Sequence, residues 1–177
     1  SYFPMSLTFT LSERDKNTLD KSELEQQIRL ILWLANVISL FACTVMIICG
    51  SSSLGFLSMS DGTAYYLSVY GLIYGGVCIL ISSLFGLWAA STAHRSVVKF
   101  YYQVILPFVI LVVSGAAASA VITAATSNES RWNIFLTFTA IYLIFIGIFQ
   151  VIAFANARSR EILMAAIRKK LSLVTGS

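Results

Sequence analysis

The sequence predicts an all-α integral membrane protein: a left-handed bundle of four transmembrane helices with both termini on the cytoplasmic (or stromal or matrix) side. Three observations predict it. Of the 177 residues, 58% are hydrophobic and only 11% charged, more apolar surface than a soluble domain of this size can hide. Four apolar runs, separated by short polar links, are each long enough to cross a hydrocarbon core of roughly 30 Å. Eleven of the twelve Lys and Arg residues fall on one side of those runs, the side that the positive-inside rule assigns to the cytoplasm or its organellar equivalent. They are Arg14, Lys16, Lys21 and Arg29 before the first run, Arg95 and Lys99 in the second link, and Arg158, Arg160, Arg168, Lys169 and Lys170 after the last. Arg131 alone lies opposite.

The first segment, residues 1–28, is a mixed lead. Ser1 to Leu11 is apolar, holds Pro4, and is too short and too poor in basic residues for a signal peptide. It is expected to lie along the membrane surface or a partner, or to form a loose tail. Ser22-x-x-Glu25 has capping-box spacing, in which a hydroxyl and a carboxylate each answer a backbone N–H, and marks the expected start of the first long helix. A transmembrane domain is expected over 29–156. Its first helix covers about 29–50, and Ala35, Ser39, Ala42 and Cys49 give it a small face.

The second helix, about 66–93, organises the rest. No Asp, Glu, Lys or Arg occurs from Gly62 to Ala93, and Gly71, Gly75, Ser82, Gly86 and Ala90 recur along one stripe. Gly71-x-x-x-Gly75 is the spacing that lets two membrane helices approach backbone to backbone, because no side chain stands between them. The small faces of helices one and two are therefore expected to pack together. The third helix, about 100–126, carries Pro107, which has no N–H and should bend the helix or mark its first turns. Its Ser114–Ala120 stretch (SGAAASA) is the narrowest in the chain. The link to the fourth helix, about 132–156, is so short that the two form an antiparallel hairpin. That helix is expected to continue as a basic amphipathic piece, Ala157 to Leu171, within a basic tail at 157–177.

Few residues offer chemistry. Asn36 and Gln150 are expected to hydrogen-bond between helices, and Asn156 is weighed with them. His94 is the one histidine, without Cys, Asp or Glu spaced to make a metal or catalytic site with it. Cys43, Cys49 and Cys78 all lie in apolar runs and have no metal-site spacing. Asn128-x-Ser130 matches a glycosylation sequon in a loop too short for the modifying enzyme. No charged residue falls inside the four predicted spans, which counts against proton-coupled transport, where the coupling ion needs a group at depth. Tyr65, Tyr66, Tyr101, Tyr102, Trp88 and Trp132 near span ends read as an aromatic belt. Arg158, Arg160, Arg168, Lys169 and Lys170 are candidate lipid-headgroup ligands, at about 1 kcal/mol per basic residue near an anionic surface.

The first three helices resemble those of the tetraspanins. The resemblance rests on Asn36 in an apolar first helix ending at Gly50, on Gly75-Gly76, and on Gly86-Leu87-Trp88-Ala89, and it covers about two-thirds of the chain. It implies a non-enzymatic organiser that binds other membrane proteins laterally. The chain departs from that family between helices three and four, where SNESRW stands in place of a large disulfide-bonded domain with a Cys-Cys-Gly motif. It also lacks juxtamembrane cysteines of the kind that family acylates. Four-helix MARVEL-type proteins share the topology.

The function expected is structural: an accessory or organising subunit, not an enzyme, with other integral membrane proteins and membrane lipids as partners and no nucleic acid. Gly71, Gly75, Ser82, Gly86, Ala90, Ala35 and Ser39 are the expected packing residues, with the lead and basic tail as docking pieces. One alternative is a small oligomeric channel or transporter lined by Asn36, Ser39, Thr44 and Gln150. Another is a pigment- or lipid-binding subunit of a respiratory or photosynthetic complex, with His94, Gln103, Asn36 or Gln150 as ligands. No cofactor is expected, although structural lipids and a pigment both fit the composition.

Overall fold

A computed structural model describes residues 13–55, 63–126 and 130–175. Four helices are long and apolar enough to cross a membrane, and no strand occurs among the described residues. They are α1 (Glu13–Leu54), α2 (Thr63–Ser91), α3 (Arg95–Thr126) and α4 (Ser130–Thr175). The N-terminal lead to Ser12, the loop at 56–62 and the sequon at Asn128 lie outside the described residues.

One boundary differs from expectation. Ser22 does not start the first helix but sits nine residues inside it, because α1 begins at Glu13. Nothing between 13 and 49 is Gly or Pro, and its Leu, Lys, Glu and Gln residues favour helix, so the chain has no reason to break at a capping box. The basic amphipathic piece continues the fourth helix, as the sequence suggests. α4 runs unbroken for 46 residues, about 69 Å at 1.5 Å per residue. α1, at 42 residues, is about 63 Å long. Both overshoot a hydrocarbon core of about 30 Å, and they do so at the same end of the bundle, where the α2–α3 link also lies.

The helices form an up-down-up-down square. α1 packs on α2 and α4, and α3 packs on α2 and α4. The diagonal partners α1 and α3 have no Cα pair within 8 Å among the described residues. Large side chains such as Phe41, Leu111 and Phe138 face outward, each about 70% exposed, as a lipid-solvated bundle requires. Inside are two apolar clusters. One, toward the α1–α2 loop, includes Cys43, Met46, Leu72, Ile79, Val113 and Leu143. The other, toward the α2–α3 link, includes Leu32, Ala89, Val98, Tyr101, Leu106 and Ala157.

Pro107 acts through the turn before it. Tyr101–Ile105 is a single π-helical segment, closed by the Leu106 N–H donating to the Tyr101 carbonyl five residues back. A proline ring clashes with the carbonyl four residues earlier, here that of Gln103, and a widened turn gives that carbonyl room. The buried positions record the extra residue. Val98, Tyr101, Leu106, Val109, Val113, Ala117 and Ala120 step by three or four except from Tyr101 to Leu106, where the step is five.

Candidate functional site

Between the two apolar clusters lies a polar layer, to which all four helices contribute. Asn36 and Gln150 are fully buried, Ser82 and Ser83 likewise, and Ser39 is 2% exposed. The carboxamide of Asn36 donates from Nδ2 to its own helix at Leu32 O (2.7 Å) and accepts from the Tyr101 hydroxyl at Oδ1 (2.8 Å). Gln150 Nε2 donates to Ser39 Oγ (2.9 Å), and Ser82 Oγ donates to Gln150 Oε1 (3.4 Å). Each bond offsets the cost of taking a polar group into a medium without water. A fourth helix-to-helix bond, Tyr142 Oη to Ala42 O (2.9 Å), joins α4 to α1 nearer the other end.

Glycine decides how close the helices come. A Cβ at Gly86 would overlap the Asn36 carboxamide, so the absence of a side chain there is what seats Asn36. A Cβ at Gly76 would stand 2.8 Å from Ile47 Cγ1 and 3.3 Å from the Cys43 carbonyl. One at Gly50 would stand 2.6 Å from Ile73 Cγ1. These three positions carry the close α1–α2 approach. Gly75 meets only the end of Met46, at 3.3 Å. Gly71 faces α3 instead, with Ala116 Cβ at 3.8 Å, an ordinary contact. Ala35 and Ala90 are buried in the cluster near the link. The Gly75-Gly76 doublet was the visible signal. Its second member, not its first, lies against the α1 backbone.

Tyr101 is not a belt residue. It is fully buried, because the π turn rotates it inward over Asn36. Trp88 is 56% exposed, and the side chain of Trp132 lies outside the described residues. Thr44 faces outward and bonds its own helix at Leu40 O, so it does not share an interior with Asn36, Ser39 and Gln150. Asn156 also bonds within its helix, to Ile152 O. His94 and Gln103 are exposed. Among the described residues no three His, Cys, Asp or Glu side chains converge.

A second polar set lies at the end of the bundle with the α2–α3 link. Arg160, expected among the headgroup ligands, is instead 1% exposed. Its guanidinium donates to the Ala89 carbonyl and to the Thr92 carbonyl (2.9 Å). Those carbonyls belong to the unsatisfied last turn of α2, where the helix dipole also favours a cation. Arg29 of α1 donates to the neighbouring Ser91 carbonyl (3.2 Å). Arg95, at the start of α3, pairs with the buried carboxylate of Glu161. Arg158, Arg168 and Lys169 remain exposed, and the side chain of Lys170 lies outside the described residues. An ionic cluster thus exists at the bundle's edge, which the predicted span limits had excluded by stopping α4 at Asn156.

Comparison of the chain with family models, curated proteins and solved structures finds no match. What the structure supports is four helices long and apolar enough to span a membrane, and no family match supports the tetraspanin label.

Proposed function

We propose that the chain is a non-enzymatic, tetraspanin-like accessory or organising subunit that packs laterally against other integral membrane proteins. One observation supports this reading above the rest. The interior polar groups that a pore or a pigment site would draw on, Asn36, Ser39, Ser82 and Gln150, are bonded to one another and to Tyr101. Apart from the buried Ser83 hydroxyl, which has no hydrogen-bond partner, these interior groups serve cohesion, and recognition falls to the outer faces.

The face best suited to a partner helix lies between α3 and α4. A shallow apolar groove of about 460 Å³ is lined there by Ser114, Ala117 and Gly147 among larger aliphatic residues. Small outward residues let another helix approach closely, which is where membrane helices gain their packing energy. Both termini and the α2–α3 link lie in the cytoplasm or its equivalent in this reading, and the exposed Arg158, Arg168 and Lys169 meet anionic headgroups there.

The test is the native mass after gentle detergent extraction, with co-migrating proteins identified. One large, defined assembly is the expected result, and Ser114→Leu, at an exposed lining position, should release the chain from it without unfolding the bundle. A free monomer that shows ion flux in liposomes would overturn the reading.

A further inference from the structure

A groove of about 730 Å³ runs along the outer side of α1 where it meets the end of α2. Its α1 wall is one helical stripe: Glu23, Gln26, Gln27, Leu30 and Trp33, spaced three or four residues apart and so stacked on one face. The stripe is graded. A carboxylate comes first, then two carboxamides, then an aliphatic side chain, then an indole at the beginning of the apolar run. Arg29 and Ser91 line the same groove, and the bond from Arg29 Nη2 to Ser91 O fixes the guanidinium against the end of α2. That bond uses one of the five N–H donors a guanidinium carries.

The order of these groups has a chemical counterpart. Arg29 lies six positions after Glu23, about 9 Å along the helix, with the anion toward water and the cation toward the hydrocarbon. A zwitterionic phospholipid is arranged the opposite way in charge at each level: its phosphate lies next to the glycerol, and its amine lies farther out. Trp33 sits about 15 Å below Glu23, at the depth of the ester groups and first methylenes, which suits an indole with one polar edge. We propose that this groove binds a phospholipid of the phosphatidylethanolamine type, its phosphate on Arg29 and the two glutamine amides, its primary ammonium on Glu23. A primary ammonium can donate hydrogen bonds to the carboxylate. A trimethylated one cannot, and the indole is too deep to receive it as a cation–π partner. The groove is close to neutral, which separates it from the basic outer face of α4.

Native mass spectrometry of the full chain tests this, with dioleoyl phosphatidylethanolamine, phosphatidylcholine or phosphatidylglycerol added at equal concentration. Phosphatidylethanolamine should be retained above the other two. Glu23→Gln, an exposed and fold-neutral change, should lower its retention by about two- to fivefold, the range of one exposed ion pair, to the phosphatidylcholine level. Arg29→Gln should lower retention of all three lipids. Equal retention of the three by the wild-type chain would overturn the proposal, as would a Glu23→Gln variant that still prefers phosphatidylethanolamine. A preference for phosphatidylglycerol would also overturn it and transfer lipid selection to Arg158, Arg168 and Lys169.

Discussion

The hydroxyl of Tyr101 reaches Asn36 Oδ1 at 2.8 Å across the diagonal of the bundle, joining two helices whose Cα atoms nowhere come within 8 Å among the described residues. The Ser82–Gln150 bond spans the other diagonal. A square of four helices can shear when only its edges are tied. Two crossed ties at one level oppose that shear and fix the register of all four helices.

Tyr101→Phe keeps the ring and removes the tie, and should cost about 1–2 kcal/mol. Reversible unfolding in mixed micelles, followed by circular dichroism, measures it. In a double-mutant cycle with Asn36→Ala the two losses should not add, because each single change breaks the same bond. Full additivity would show that Tyr101 stabilises only by its bulk.

Two glycines in α2 separate close approach from mere spacing. Gly86→Ala forces a methyl into the Asn36 carboxamide and should cost about 1–3 kcal/mol. Gly71→Ala meets Ala116 at ordinary contact distance and should be neutral or stabilise by up to about 1 kcal/mol through helix propensity. The same unfolding assay should rank the pair in that order.

Neighbouring arginines of α4 should behave as different kinds of residue. Arg160→Met leaves the Ala89 and Thr92 carbonyls without their cation and should destabilise the bundle by about 2–4 kcal/mol. Arg158→Met should leave stability within about 0.5 kcal/mol and instead weaken flotation with vesicles rich in anionic lipid. Equal losses of stability would place both side chains at the surface.

Gln150→Leu removes the bonds to Ser39 and Ser82 together and leaves two hydroxyls in an apolar layer. A loss of about 1–3 kcal/mol is expected. Adding Ser39→Ala should recover part of it, since the hydroxyl left without its partner is then gone.

Helix number and type were legible from the apolar runs, because a bilayer constrains backbone hydrogen bonding more than any feature of a soluble core does. Asn36 and Gln150 were legible as interhelical polar groups because such residues are costly in hydrocarbon and must be explained, whereas Ser82 was legible only as a small packing residue. Their partners were not. Tyr101 lies near a predicted span end, where an aromatic belt accounts for it equally well, and only the π turn ahead of Pro107 points it inward. Arg160 was concealed by its charge: a basic residue after an apolar run reads as a topology signal, and nothing in the sequence shows that the carbonyls at the end of α2 come within its reach. The choice of Gly76 over Gly71 is a rotation about the α2 axis, and a stripe of small residues this wide leaves that rotation open.

The five-residue step between Tyr101 and Leu106 has a consequence for how this chain is to be aligned with any other. On either side of it the inward positions of α3 keep one phase, but the two phases differ by a single residue. A homologue whose third helix is α-helical throughout would be one residue shorter here, and an ungapped alignment through Pro107 would then set Tyr101 opposite the wrong neighbour. The tie to Asn36 is thus invisible to comparison by columns unless a one-residue gap is allowed within Tyr101–Ile105, and that is the place to open it.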